Sequence, residues 1–234
     1  VAASYEKAIV LEGVGRRGES REIYTNLIKR FNDGFIRGGN DLLYVAMAMW
    51  ELGKNDKDYF HKANDLFKRV TQSNPLNAEA FLEWGNLLAE KYNNPEAIAS
   101  YEDALEIDPN MPEAHLGIAR VLANDNFERS QASLQKALDV NPNFMDARLL
   151  LAEQRINAEQ YAEADEEIEH VLEINPRSSK ALALMATTRF LRNDEDGFNR
   201  YVQQVLLNNP LYGEMYYILA DRCVSLRLYT EAVE

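Results

Sequence analysis

The sequence predicts an all-α protein, a solenoid of stacked helical hairpins. Two observations support this prediction: five prolines recur at a nearly constant spacing, and small residues recur at fixed distances before them. The prolines are Pro75, Pro109, Pro142, Pro176 and Pro210, so the spacings are 34, 33, 34 and 34 residues. A period of this length is typical of repeat proteins, in which each repeat buries its apolar surface against the next.

Within each repeat, small and large residues alternate in a way that fits two closely packed helices. If the proline is numbered 32, position 8 is always small and position 20 is small with one exception. Position 8 is Gly85, Ala119, Ala152, Ala186 and Ala220; position 20 is Ala97, Ser130, Ala164, Phe198 and Ala232; position 24 is Tyr101, Leu134, Ile168 and Val202. Small residues let the two helices approach, and the large residue fills the space beside them. The proline then ends the second helix, because it lacks an amide hydrogen and disfavours helix in the residue before it.

In chain order, the pattern predicts seven repeats. Residues 1–33 are a degenerate helical pair in which Asn32 stands where proline is expected, and the glycine-rich stretch 34–39 is a loop. The next repeat, 39–77, has a lengthened inter-helix loop, because residues 53–63 hold five extra residues before Ala63. Four regular repeats follow at 78–111, 112–144, 145–178 and 179–212, and residues 213–234 contain an incomplete one.

These features resemble the tetratricopeptide repeat family, with its 34-residue period, small residues at positions 8 and 20, and proline at 32. The resemblance implies a right-handed superhelix of helix-turn-helix hairpins whose first helices line a concave face. A narrower resemblance concerns residues 82–97 and 209–233. They are similar to repeat regions that precede a zinc peptidase-like domain in some bacterial proteins.

Three departures from the family pattern lie in the later repeats. Phe198 replaces a small residue, with Gly197 beside it giving the backbone room to move. Arg155 and Arg189 stand at position 11, which is usually apolar, so we expect less regular packing there. In the acidic stretch 159–170, we expect a solvated face that presents Glu163, Glu166, Glu167 and Glu169.

Composition argues against several classes of partner and chemistry. The 25 Lys and Arg residues against 38 Asp and Glu give a net charge of −13, which repels nucleic acid and anionic lipid surfaces. Cys223 is the only cysteine, and His61, His115 and His170 belong to three different repeats, so we expect no metal site and no cofactor. No signal peptide or membrane-spanning run is present in the sequence, and both a cytoplasmic and an exported location stay open.

The resemblance places a binding groove on positions 5, 9 and 12 of the first helices. The groove residues so predicted are Leu82, Asn86, Leu116, Arg120, Leu149, Glu153, Ile156, Thr187, Phe190, Tyr217 and Asp221. Apolar residues crossed by polar ones suit a bound peptide or helix. The competing interpretation is that neighbouring helices shield these residues and the curvature of the array closes the groove. Leu82 occupies the position of the lysine that some family members use to clamp a terminal carboxylate, so that clamp is missing.

The sequence therefore predicts a non-catalytic scaffold that binds a peptide or protein segment on a concave face. The alternative is a regulatory or substrate-presenting region of a larger enzyme, such as a zinc peptidase-like hydrolase whose metal site lies beyond residue 234. A third reading is a structural array that assembles with itself. Because the last repeat is incomplete, we also expect the chain to associate through it at high concentration.

Overall fold

The computed structural model describes residues 1–54, 56–91, 93–210 and 212–225. These ranges contain thirteen α-helices and no strand, which confirms the all-α repeat fold. The helices are α1 (Ala2–Gly13), α2 (Arg17–Asn32), α3 (Asp41–Gly53), α4 (Lys57–Ser73), α5 (Ala78–Glu90), α6 (Asn94–Ile107), α7 (Pro112–Leu122), α8 (Phe127–Val140), α9 (Met145–Asn157), α10 (Tyr161–Ile174), α11 (Ser179–Leu191), α12 (Glu195–Asn208) and α13 (Glu214–Ser225). Within the described ranges, no helix is both long enough and apolar enough to cross a membrane.

The chain forms two compact parts, an N-terminal lobe, Val1–Val121, and a C-terminal lobe, Leu122–Glu234. In the N-terminal lobe, helices pair in sequence order, α1 with α2, α3 with α4 and α5 with α6, and the first helices α1, α3 and α5 also contact one another in turn. The helices α1 and α2 pack through the predicted positions 8, 20 and 24 of their repeat, since Ala8, Ser20 and Tyr24 are all buried. Gly34 and Gly39 have positive φ angles in the predicted loop after α2.

The prediction of a lengthened loop in repeat 39–77 is wrong. The connection between α3 and α4 is three residues long, residues 54–56, as is the connection between α5 and α6, residues 91–93. The extra residues instead lengthen the helices: α4 begins six residues before Ala63, whereas α6 begins three residues before Ala97. Helix is favoured there because Asp56 caps α4, its carboxylate accepting a hydrogen bond from the Asp58 amide at 2.9 Å.

Tyr101, the large residue at position 24 of its repeat, lies between two helices that approach each other at glycines. A Cβ added to Gly85 on α5 would lie 2.6 Å from the Tyr101 ring, and one added to Gly117 on α7 would lie 2.5 Å from it. Two glycines therefore make the space into which α6 inserts an aromatic ring, which explains why position 8 of this repeat is glycine rather than alanine.

The C-terminal lobe has its core between α9 and α13. Fully buried side chains of α10 and α11 form its centre, among them Ile168, Leu182, Leu184 and Met185, with Val205 contributed by α12. Ile168 stands at position 24, one of the packing positions that the repeat pattern predicts.

The two arginines at position 11 take part in ion pairs with carboxylates of α10, Arg155 within its own repeat and Arg189 with the repeat before its own. Arg155 contacts Glu167 at 3.2 Å, and Arg189 contacts Asp165 at 2.7 Å. Glu167 also pairs with Arg148 at 2.5 Å and is mostly buried, so it does not belong to the solvated acidic face that we expected. The other three carboxylates predicted for that face, Glu163, Glu166 and Glu169, are exposed.

The helices α11 and α12 accommodate Phe198 by using the residue before it. Gly197 is buried, and a Cβ there would clash first with the capping carboxylate of Asp194 and would also lie 3.0 Å from Cδ of Arg189. The Phe198 ring is half-buried and packs on Phe190, with ring centroids 5.5 Å apart. The glycine thus supplies the close approach that the small residue at position 20 normally provides. In the last repeat, α13 is the first helix, and the predicted start of the second helix lies outside the described residues.

Candidate functional site

The predicted groove residues of the N-terminal lobe differ in exposure. The side chains at position 5, Leu82 and Leu116, are 8% and 3% exposed, so they are packing residues. Asn86 is half-buried and Arg120 is exposed. Only the residues at position 9 therefore reach the surface of this lobe from the predicted set.

In the C-terminal lobe, the groove prediction fails at Ile156 and Thr187. Both side chains are buried, with exposures of 0% and 1%, and the Thr187 hydroxyl donates to the carbonyl of Ala183 at 2.9 Å. The physical reason is that α9 and α13 contact each other as well as α11, so the face of α11 between them is covered. The competing interpretation, closure by neighbouring helices, describes α11 correctly. Leu149 on α9 is also buried.

The remaining predicted residues of this lobe do not form one surface of free side chains. Glu153 pairs with Lys180 at 2.9 Å, and Phe190 lines a cavity of about 520 Å³ at the turn between α11 and α12. Tyr217 is exposed on α13, and Asp221 is half-buried with a partner of its own. The C-terminal lobe therefore has no open groove at α11.

The N-terminal lobe, in contrast, has a continuous open face at positions 2, 6, 9 and 13 of its first helices. Its residues are Ala2, Glu6, Ile9 and Gly13 on α1; Asn40, which directly precedes α3, with Tyr44, Met47 and Glu51 on α3; and Glu79, Glu83, Asn86 and Glu90 on α5. All twelve are exposed or half-buried. At 100° per residue, this open face is rotated by about 60° around each helix from the predicted stripe at positions 5, 9 and 12.

Three tyrosines meet beneath the open face. The Tyr5 ring lies 5.7 Å from the Tyr24 ring and 5.8 Å from the Tyr44 ring, measured between centroids. The Tyr24 hydroxyl donates to Glu12 at 3.3 Å. Tyr5 is only 4% exposed, and its hydroxyl makes no hydrogen bond to a described residue, although the oxygen is not among the fully enclosed polar atoms that lack a partner. Helices α1, α2 and α3 thus bring an aromatic cluster to one end of the open face.

Carboxylates of the open face act on these tyrosines and on each other. Burial raises the pKa of the Tyr5 hydroxyl, and the negative charges of Glu51, Glu83 and Glu6 raise it further. Burial is also the main cause that raises the pKa of Tyr24 to about 12. The pKa of Glu83 is raised by burial and by the charges of Glu79 and Glu51, although a hydrogen bond from Asn86 opposes the shift. The site is therefore one in which negative charge is crowded and partly desolvated.

At the other end of the open face, the side chain of Tyr101 on α6 contacts Asn86. Its hydroxyl donates to Oδ1 of Asn86 at 2.9 Å, and Nδ2 of Asn86 donates to Glu83 at 3.3 Å. The positive charge of Arg120 acts on the Tyr101 hydroxyl and opposes the increase in its pKa that burial causes. Asn86 is thus held in one orientation by its neighbours, with Glu83 beside it.

The described residues offer no candidate metal site. In the part of the chain that the structure describes, no three His, Cys, Asp or Glu side chains lie close enough together to hold a metal ion.

Apart from Asn86, the open face was not predicted from the sequence, because the groove was placed at positions 5, 9 and 12, as in the resembling family. The signal was present: Glu6, Glu51, Glu79, Glu83 and Glu90 recur at positions 6, 13, 2, 6 and 13 of three successive first helices. Charged side chains that recur at helical spacing mark the solvent side of a helix. Of the twelve residues of the open face, the prediction contained only Asn86, and the omitted ones include the five carboxylates, Tyr44 and Met47.

Comparisons with known proteins agree with this architecture. A family model described as tetratricopeptide repeat matches residues 121–187, and a second one, described as TPR repeat, matches residues 85–126. No curated protein matches the chain. These matches and the structures named below give no support to the zinc peptidase-like resemblance.

Three similar solved structures show the same fold. PilF from Pseudomonas aeruginosa is 15% identical with a TM-score of 0.65, over 94% of this chain and 96% of its own. A tetratricopeptide repeat protein from Parabacteroides merdae is 20% identical with a TM-score of 0.60, over 80% and 76%. YrrB, described as a TPR protein with an unusual peptide-binding site, is 17% identical with a TM-score of 0.52, over 83% and 96%.

Proposed function

Because the chain belongs to the tetratricopeptide repeat family, we propose that it is a non-catalytic scaffold that binds a peptide or protein segment on the open face of its N-terminal lobe. The observation that carries this proposal is the open face itself. Three first helices present twelve accessible residues there in register, whereas the corresponding face of α11 is covered in the C-terminal lobe.

The chemistry of the open face suits a protein segment. Met47 and Tyr44 offer apolar and aromatic area, while Asn86, Glu83 and Glu79 offer acceptors for main-chain amides and polar side chains. The description of YrrB as a peptide-binding TPR protein supports the assignment of this class of ligand by analogy of fold. A segment lying across α1, α3 and α5 would contact all three helices.

Selection from a random dodecapeptide display library, with the intact chain immobilised, tests this function. We expect enriched peptides that bind in solution and slow amide hydrogen exchange in α1, α3 and α5. Matched selection on the bare support identifies background binders. Failure to enrich any peptide above that background, or protection confined to the second helices α2, α4 and α6, would contradict the proposal.

A further inference from the structure

We propose that the segment bound by the open face is cationic, and that a lysine or arginine side chain enters between the tyrosines Tyr5 and Tyr44 and the carboxylates Glu51 and Glu83. This inference rests on the proposed function, because it names the chemistry of the partner for the same surface. It assigns a specificity site to the aromatic end of the open face.

Charge complementarity is the first argument. The twelve residues of the open face include five carboxylates, Glu6, Glu51, Glu79, Glu83 and Glu90, and no lysine or arginine. An anionic segment would add to the repulsion that Glu51 and Glu79 already exert on Glu83, and a neutral one would leave it in place. A cationic one would relieve it, and the gain is larger where the groups are partly desolvated.

The unpartnered hydroxyl of Tyr5 is the second argument, independent of the acidic residues. The Tyr5 side chain is 96% buried and its hydroxyl makes no hydrogen bond to a described residue, but the oxygen is not among the fully enclosed polar atoms that lack a partner, so it is accessible from the open face. The negative charges of Glu51, Glu83 and Glu6 act on it. An ammonium or guanidinium group placed beside Glu51 and Glu83 would donate to this accessible phenol oxygen.

Aromatic rings next to carboxylates are the third argument. A cation is attracted to the face of an aromatic ring as well as to the charges beside it. The same lobe uses this contact internally: Nζ of Lys62 lies 5.3 Å from the centroid of the Tyr59 ring, and Nζ of Lys91 lies 5.0 Å from that of Phe60. Tyr44 is half-buried and adjoins Tyr5, so its ring is accessible to an incoming side chain.

One cation of the chain, Lys54, borders this site, and a second, Arg120, lies at the other end of the open face. Lys54 pairs with Glu51 at 2.6 Å from three residues away on the chain, and its own side chain is 44% exposed. The Glu51 side chain is 10% exposed, so an incoming cation would compete with the partly exposed Lys54 ammonium for this carboxylate. Arg120 acts at the opposite end, on the Tyr101 hydroxyl beside Asn86.

The test uses the peptides selected on the intact chain and two matched double variants. Glu51→Gln with Glu83→Gln removes the carboxylates at the aromatic end, whereas Glu22→Gln with Asp65→Asn removes two exposed carboxylates on α2 and α4. Each pair changes the net charge equally. Thermal melting and circular dichroism establish that both variants fold.

We expect the selected peptides to be enriched in lysine and arginine. We also expect their affinity to fall at least tenfold for the first double variant and less than twofold for the second, and to weaken as salt increases. Enriched peptides without a cation excess, or equal loss of affinity in both variants, would overturn this inference and leave the proposed function standing. Absence of any enriched peptide would overturn both.

Discussion

The ring of Tyr101 occupies the space that a Cβ on Gly117 would need, with Cζ of the ring 2.5 Å from that position. The ring cannot simply move aside, because its hydroxyl is bonded to Asn86 and Gly85 bounds its other face. One aromatic side chain of α6 therefore sets the separation of α5 and α7, and it also orients an amide on the open face.

Gly117→Ala should destabilise the protein in spite of the better helix propensity of alanine. The propensity gain is about 1 kcal/mol, and overpacking against a fixed ring costs about 1–3 kcal/mol, so we expect a net loss of about 1 kcal/mol. Urea denaturation measures it. Gly18→Ala in α2 is the matched control, because nothing lies within 4 Å of the added Cβ. If Gly117→Ala is as stable as the control, the ring does not set the helix separation.

Asp165→Ala should be more destabilising than any other carboxylate removal on α10. Asp165 accepts hydrogen bonds from Thr188 at 2.6 Å, Arg189 at 2.7 Å and Arg192 at 3.2 Å, and it is 8% exposed. Its loss removes the main acceptor of the mostly buried Arg189 guanidinium, although the Thr188 hydroxyl keeps the Met185 carbonyl at 3.0 Å, and we expect a cost of about 2–4 kcal/mol.

The matched control for Asp165 is Glu169→Ala on the same helix, since Glu169 is exposed. We expect a change below about 0.5 kcal/mol for it. Thermal melting of the two variants in parallel gives the comparison. Equal melting temperatures would show that the cluster around Asp165 contributes no net stability.

Glu83→Gln should stabilise the free protein at neutral pH. Burial and the charges of Glu79 and Glu51 raise the pKa of Glu83 in the folded state, so the folded protein resists an ionisation that the unfolded chain accepts freely. Stability is therefore lost as pH rises above the ordinary glutamate value of about 4.3, and the loss is complete above the raised pKa.

Urea denaturation at two pH values tests the sign of this effect. The advantage of Glu83→Gln over the wild type should be largest at pH 7 and should shrink as pH falls towards 4. Glu22→Gln, at an exposed position on α2, supplies the control. A glutamine variant that is less stable than the wild type at pH 7 would mean that the charge of Glu83 is favourable in the fold.

The sequence predicted the packing within the helical pairs, which recurs in every repeat. It did not predict which side chains are covered where helices of different repeats converge. The proline period, the small residues and the large residue at position 24 predicted the helical pairs and the buried role of Tyr101, because each follows from packing between adjacent helices. Thr187 and Ile156 were assigned to a groove, since sequence does not reveal that α9 and α13 converge over α11.

The sequence also did not reveal which carboxylates pair with the arginines at position 11. Arg155 and Arg189 stand in a position that is usually apolar, yet each has a carboxylate opposite it on α10. For Arg155 this is the second helix of its own repeat, and for Arg189 it belongs to the repeat before. A helix with many acidic residues does not reveal which of them faces inward, so Asp165 and Glu167 could not be told from their exposed neighbours. The open face was not predicted for another reason. Its carboxylates recur at helical spacing in the sequence, but the groove was placed at the positions that the resembling family uses instead of on the side of the helix that these carboxylates mark.

Tyr5→Phe removes one oxygen atom, and its effects on ligand affinity and on protein stability should differ. Because the Tyr5 hydroxyl has no partner among the described residues, removing it should leave the free energy of unfolding unchanged or raise it by up to about 1 kcal/mol. The affinity for a cationic peptide should nevertheless fall, because the phenol oxygen that would accept from the ammonium group is gone. Tyr101→Phe is the matched control: it removes a hydroxyl bonded to Asn86 and should lower stability by about 1 kcal/mol. Urea denaturation and peptide titration of both variants decide the matter, and a Tyr5→Phe variant that loses stability without losing affinity would assign this hydroxyl to the fold instead of the site.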